Sequence, residues 1–144
     1  MGGKRIPGRK RVVVTDTEGT LLWALVVAAN VGDRRCGEWV LKLRRWHFPQ
    51  VELVWVDAGF DGEDFSNLVQ QLPRCRPEVE VVRREPDQRG FAVQPRRWVV
   101  ERTLAWTGRE RRLSQEYEPL AERTEAFIYL AAIRRHLRLL AAAA

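Results

Sequence analysis

Long apolar runs are missing from this chain. The longest, Leu21 to Ala29, is of strand length, and crossing a bilayer as a helix takes ~20 residues. Cysteine is scarce. Cys36 and Cys75 are too few for a disulfide scaffold and lack metal-ligand spacing, so they are expected to be small buried or half-buried thiols in a reducing cytosol. Histidine is as scarce. His47 and His136 stand alone and are expected at the surface or at a helix end. The first residues, Met1-Gly2-Gly3-Lys4-Arg5-Ile6-Pro7, carry basic groups with no apolar segment behind them, which excludes a secretory signal and points to the cytoplasm. Lysine is rare too, at 3 against 22 arginines. A GC-rich coding sequence also produces that bias, so the placement of charge says more than the ratio.

What is present is a chain of 144 residues, 45% of them hydrophobic, with a net charge of +6. That length leaves room for one domain with a sizeable core, and the composition argues against full disorder. Residues 1–11 carry five basic groups and no acid. Residues 12–88 carry nine basic and thirteen acidic groups, and residues 89–112 carry seven arginines and two glutamates. Residues 113–144 balance. A basic start, an acidic middle and a basic helix fit a polyanion lying across one side of the molecule. A well-solvated surface fits equally.

Residues 1–10 read as a flexible basic lead, with glycine and proline and no apolar period. Two β-rich runs, 11–15 and 20–28, flank Asp16-Thr17-Glu18-Gly19, whose turn chemistry predicts a hairpin. The second run is almost wholly apolar, as for a strand buried on both faces. Asp33 is placed to cap a helix with Cys36, Trp39, Val40 and Leu43 on one face. Residues 51–56 form a strand ending at Asp57, followed by the Gly59 and Gly62 turn. Phe65, Leu68, Val69 and Leu72 mark a short helix that Pro73 ends. Residues 78–83 alternate as a strand. Pro95 suits the first turn of a helix running to about Leu113, in which Trp98 and Trp106 are expected to pack against a sheet. A last helix, Tyr117 to about Leu140, carries Leu120, Phe127, Ile128, Ala131 and Leu137 as its stripe. The order β-β-α-β-α-β-α-α predicts a three-layer α/β domain with a mixed sheet.

Two carboxylates stand out by context. Asp57 lies at the carboxyl end of a strand, the edge at which open α/β sheets bind ligands. Glu101 lies in an arginine-rich helix, one turn after Arg97 and beside Arg102. Such a pair suits Mg²⁺ or Mn²⁺, which takes oxygen ligands and often only one or two carboxylates besides phosphates and waters. Two ions could clamp the attacking and leaving oxygens of a phosphodiester. Each acid also has a plain structural reading: Asp57 as a turn or helix cap, and Glu101 as an ion-pair partner of Arg97.

Three segments resemble the C-terminal part of insertion-sequence transposases of the DDE class, in the broad group around insertion-sequence families four and five. GRKRVVVTDTEGTLLWALVVAANVGD (8–33) is similar to that group's strand pair. LVWVDAGFDG (53–62) resembles the block bearing the second catalytic aspartate. GFAVQPRRWVVERTLAWTGRERRLSQEYEPL (90–120) resembles the block bearing the catalytic glutamate, and EAFIYLAAIRRHLRLL (125–140) continues it.

The resemblance implies a ribonuclease-H-like catalytic domain over residues 11–144. Asp57 and Glu101 would be its second and third metal ligands, in a two-metal Mg²⁺ or Mn²⁺ site. Arg97 matches the arginine of the family signature. Gln94 stands where a tyrosine is favoured and Gly108 where a basic residue is usual, with Arg109 one position later. Arg102, Arg111 and Arg112 share the basic helix and would face DNA or acidic partners.

The first aspartate of the family lies on a strand upstream of this hairpin, and no matching segment precedes Lys10. Asp16 is at the closing turn and reads as a turn residue. The implied function is DNA transposition by metal-dependent hydrolysis and strand transfer at element ends, carried by an incomplete or inactive fragment. The alternative is a non-catalytic DNA-binding or regulatory product that pairs with full-length transposase or with a separately encoded N-terminal part.

Overall fold

The structure is a computed structural model that describes residues 8–44, 49–71, 77–83 and 95–143. Its elements are β1 (Arg9–Thr15), β2 (Leu21–Ala28), α1 (Asp33–Arg44), β3 (Leu53–Asp57), α2 (Glu63–Gln70), β4 (Glu78–Val82), α3 (Pro95–Gly108) and α4 (Ala121–Ala143). Short 3-10 turns cover Ala58–Phe60 and Arg111–Leu113. The element order is the expected one. Length alone pointed to one domain, but the chain falls into two compact units, residues 1–31 with 99–144 and residues 32–98.

In the first unit β1 and β2 form the expected antiparallel hairpin, in register from Arg9 opposite Ala28 to Val14 opposite Trp23. The turn is built by Asp16. Its Oδ1 accepts from the amides of Glu18 (2.9 Å) and Thr20 (2.8 Å). Gly19 follows at φ +86°, a backbone conformation that costs a side chain-bearing residue energy. Strand β1 already begins at Arg9, so Arg9 and Lys10 are strand residues and no part of a flexible lead. The Arg9 guanidinium donates to the Glu118 carbonyl at 2.9 Å, and Arg11 donates to the Leu113 carbonyl at 2.6 Å. These two arginines therefore fasten the connection between α3 and α4 to β1.

Helix α4 packs on β2. Ala24, Val26, Leu113 and Ile128 are the buried core, with Val13, Leu21, Phe127, Tyr129 and Ala131 against it. A fully buried Leu or Ile contributes about 1.5–3 kcal/mol over leaving it in water. The outer edge of β2 is closed as well. The amide of Ala24 donates to the Tyr129 hydroxyl (3.0 Å), and that of Val26 to a Glu125 carboxylate oxygen (2.8 Å). Side chains of α4 thus stand where another strand would pair. Only Ala24 and Val26 of β2 are buried, so the expectation of burial on both faces is corrected. Leu120 (52% exposed) lies before the helix, which begins at Ala121 and not at Tyr117 as expected, and Leu137 (61%) lies outside the core because α4 is longer than the sheet it covers.

In the second unit β3 and β4 pair in parallel, Leu53 opposite Glu78 through Asp57 opposite Val82, as a β-α-β crossover through α2 requires. Cys36 and Val40 of α1 and Phe65 and Val69 of α2 form the buried face that their spacing predicts. Cys36 is a free buried thiol. Asp33 is the first residue of α1, with the Cys36 amide bonding back to the Gly32 carbonyl, so the helix starts one residue earlier than a cap at Asp33 implies. Gly37 lets Phe60 and Phe65 meet edge to face at 5.2 Å. A Cβ there would lie 2.6 Å from the Phe60 ring. Leu72, Pro73 and Cys75 lie outside the described residues.

The four strands make two two-stranded sheets in place of the single mixed sheet expected. Among the described residues there is no fifth strand to extend a ladder from β1 or β3.

Helix α3 begins in the second unit and continues in the first. Its apolar residues lie all round, so their spacing names no single inner face. The face it buries in the first unit is polar: Thr103 and Thr107, one turn apart. The Thr103 hydroxyl donates to the Gly19 carbonyl at 2.9 Å. Trp98, expected to pack inward against a sheet, is 45% exposed.

Candidate functional site

Asp57 closes β3 and is exposed. Its extended backbone starts the 3-10 turn, and its Oδ1 accepts from the Gly59 amide at 2.9 Å. The capping role is therefore realised, and it uses one of the two carboxylate oxygens. Gly59 leaves room for a second acid: a Cβ there would lie 3.0 Å from Asp57 Oδ1 and 3.2 Å from Asp33 Oδ2. Asp33, read from the sequence only as a cap, thus borders the same turn as Asp57. The rest of the loop is tied down by arginines. Arg34 donates to the Asp61 carbonyl, and Arg83 holds Asp61 Oδ2 at 2.7 Å.

Glu101 is exposed on α3, one turn beyond Arg97. Asp57 belongs to the second unit and Glu101 to the first, so each carboxylate is placed within its own unit. Among the described residues no three His, Cys, Asp or Glu side chains cluster as a metal-binding group. The donor chemistry of both residues still fits a hard divalent cation. Both are exposed carboxylates, and the capping bond of Asp57 leaves Oδ2 for coordination.

The arginines named from the sequence sort by what they touch. Arg102 donates to the Glu18 carbonyl at 2.7 Å, and its guanidinium stacks 4.7 Å from the centre of the Trp106 ring. It fixes the hairpin turn to α3 as well as carrying charge. Arg112 is paired with Glu118 at 3.0 Å. Arg111 is exposed. Arg109 lines a pocket of about 230 Å³ between the end of α3 and α4.

Sequence reasoning passed over Arg134, Arg135 and Arg138 of that pocket, and His136, expected at the surface or at a helix end, is a half-buried lining residue within α4. Arg135 lies 3.4 Å from the Trp106 ring centre. Burial pushes its guanidinium down from the ordinary value, and the charge of Arg102 adds to that. A signal was present in the run Arg134-Arg135-His136-Leu137-Arg138, which places three arginines within five residues. Trp106 is thus occupied by two guanidiniums and is not an open stacking surface for a base. A comparable stack in the second unit sets Arg96 4.6 Å over Trp55, whose indole N–H donates to Glu80 at 2.8 Å.

Among the described residues no helix is long and apolar enough to cross a membrane. Residues 1–134 match the family described as the transposase DDE domain. Over 131 residues the chain is 32% identical to a protein of Burkholderia cepacia, named as a candidate transposase for insertion sequence element IS402. The alignment covers 86% of this chain and 60% of that relative's length. No solved structure matches.

Proposed function

Because the chain belongs to the transposase DDE domain family, we propose that it is the carboxyl-terminal part of a ribonuclease-H-like catalytic domain acting in DNA transposition in the bacterial cytoplasm. The observation that carries this reading is the extent of the family match, which spans both Asp57 and Glu101. The substrate class is double-stranded DNA at the ends of an insertion sequence, then target DNA.

In this reading Asp57 and Glu101 are the chain's own ligands for Mg²⁺ or Mn²⁺. Bound divalent cations neutralise the phosphoryl oxygens and lower the pKa of an attacking water. Asp57 offers the carboxylate oxygen that does not cap the 3-10 turn. Arg97, Arg109 and Arg111 hold phosphates along α3 and its exit, and Arg102 and Arg112 add charge from positions already tied to carbonyl or carboxylate partners. In the first step a water oxygen bonds to phosphorus and the bond to the 3′ oxygen breaks, leaving a 3′-hydroxyl. In the second step that hydroxyl attacks a target phosphodiester and releases a new 3′ end.

A third carboxylate would come from a strand outside the described residues. The edge of β1 is where it would pair, since α4 side chains close the far edge of β2. The same open edge favours a second reading, in which the chain pairs with full-length transposase or a separately encoded N-terminal part and regulates without cutting.

The test is a nicking assay on end-containing DNA with Mg²⁺ or Mn²⁺. The chain alone is expected to cut weakly or not at all, and a supplied N-terminal part is expected to restore cutting that Asp57→Asn abolishes. Robust cutting by the chain alone, abolished by Asp57→Asn, would contradict the need for an added strand. Restored cutting that survives Asp57→Asn would remove Asp57 from the mechanism.

A further inference from the structure

The pocket between α3 and α4 carries far more positive charge than its surroundings balance. Arg109, Arg134, Arg135 and Arg138 line it, and Glu110 is the one acid among its lining residues. Glu110 is held by Arg134 at 2.8 Å. Among the described residues no carboxylate pairs with the other three arginines. Trp106 forms an apolar wall on which Arg135 is stacked, which fixes that guanidinium and limits its access to water. Two nitrogens nearby, Nε2 of His136 and Nε of Arg102, are shielded from solvent and find no hydrogen-bond partner. Buried polar atoms are nearly always satisfied, by protein, water or a bound ion.

Like charges gathered around unpaired nitrogens repel one another until an anion joins them. Guanidiniums present forked donors that match a tetrahedral oxyanion, and the volume admits one phosphate group with attached water. We propose that this pocket is a phosphate-binding site, centred on Arg135 and Arg138 with Arg109 and His136 at its sides, that seats a backbone phosphate of DNA. The site lies within the first unit and is built from residues other than the two proposed metal ligands. It deepens the transposase reading and rests on it for the source of the phosphate, whereas the oxyanion chemistry rests on the pocket alone.

The chain contains two histidines, so His47→Gln leaves His136 as a single imidazole reporter. In that background, with chelator present so that no divalent cation contributes, ring resonances of His136 are followed while inorganic phosphate or a short DNA duplex is added. Both probes are expected to move them saturably. Arg138→Gln, at an exposed position that should not disturb folding, is expected to weaken both titrations roughly tenfold, the usual scale for one charge-assisted bond. Arg123→Gln at the start of α4 is expected to leave both unchanged.

No movement with either probe overturns the site, as does full affinity in a folded Arg138→Gln protein. Movement with inorganic phosphate but not with duplex overturns the DNA source. Duplex that binds by mobility shift without moving His136 overturns the pocket while the transposase reading stands. Duplex that binds nowhere counts against the transposase reading, and the phosphate arm still decides the pocket.

Discussion

The side-chain hydroxyl of Thr103 donates to the carbonyl oxygen of Gly19 at 2.9 Å, joining the hairpin turn to the helix that carries Glu101. Gly19 is held at φ +86°, and a Cβ there would sit 2.9 Å from Thr103 Oγ1. Gly19→Ala therefore combines backbone strain with a steric clash. It is expected to lower the unfolding free energy by about 1–3 kcal/mol in a urea titration. Thr103→Val keeps the shape and removes the donor, with an expected loss of about 1 kcal/mol. An unchanged urea midpoint in Gly19→Ala would show that the turn does not rest on α3.

Asp16 gives the hairpin a dependence on acid. Its partial burial raises the carboxyl. Hydrogen bonds from the Thr20 backbone, the Thr20 side chain and the Glu18 and Gly19 backbones outweigh that and hold it below the usual carboxylate value. A carboxyl lowered by folding adds stability that is fully present above its unfolded value of about 3.9 and is lost as pH falls through the lower folded value. Asp16→Asn keeps an acceptor for the turn but not its charge, so near neutral pH it is expected to melt below the parent by the share that ionisation contributes. It should also lack that part of the acid-induced loss. Melting curves recorded between neutral pH and pH 3 check this, and parallel acid dependence in the two proteins would count against the assignment.

The cap and the ligand roles of Asp57 separate by substitution. Asparagine still offers an oxygen to the Gly59 amide, so Asp57→Asn should retain the 3-10 turn and nearly all stability. Asp57→Ala removes the acceptor and is expected to cost about 1 kcal/mol in thermal unfolding. Metal-dependent cutting, in the presence of the completing N-terminal part, should be lost in both. A fully active Asp57→Asn protein would reduce Asp57 to its capping role.

DNA affinity measured without metal should fall steeply as salt rises, because the contacts proposed are arginine to phosphate. Replacing Arg111 by glutamine is expected to reduce the slope of log affinity against log salt by about one. A slope unaffected by that change would place Arg111 away from the backbone path.

Much of the fold can be read from short-range pattern. The hairpin follows from Asp16 and Gly19 between two β-rich runs, and α1 and α2 follow from apolar residues repeating at helical spacing. The parallel pair β3 and β4 follows from the strand-helix-strand order. The orientation of α3 does not, because its apolar residues surround the helix and two threonines face inward; hydrogen bonds to a turn 84 positions earlier decide it. The grouping of the strands into two sheets is also invisible locally, since no strand records which edge will be filled. At the candidate site, the position of Asp57 at a strand end is legible from Val51 to Asp57 and the glycine after it. The stacking of Arg135 on Trp106 beside Arg102 brings in a residue of α4 far along the chain, and only packing reveals it.

The central proposal is that Asp57 and Glu101 are each ligands for divalent cation. The most direct measurement is electron paramagnetic resonance of Mn²⁺ added to the chain, comparing the parent with Asp57→Asn and Glu101→Gln, each verified as folded. The account predicts that the parent depletes the free-ion signal saturably and that either substitution alone abolishes most of that binding. Binding that is undiminished in either variant would contradict it.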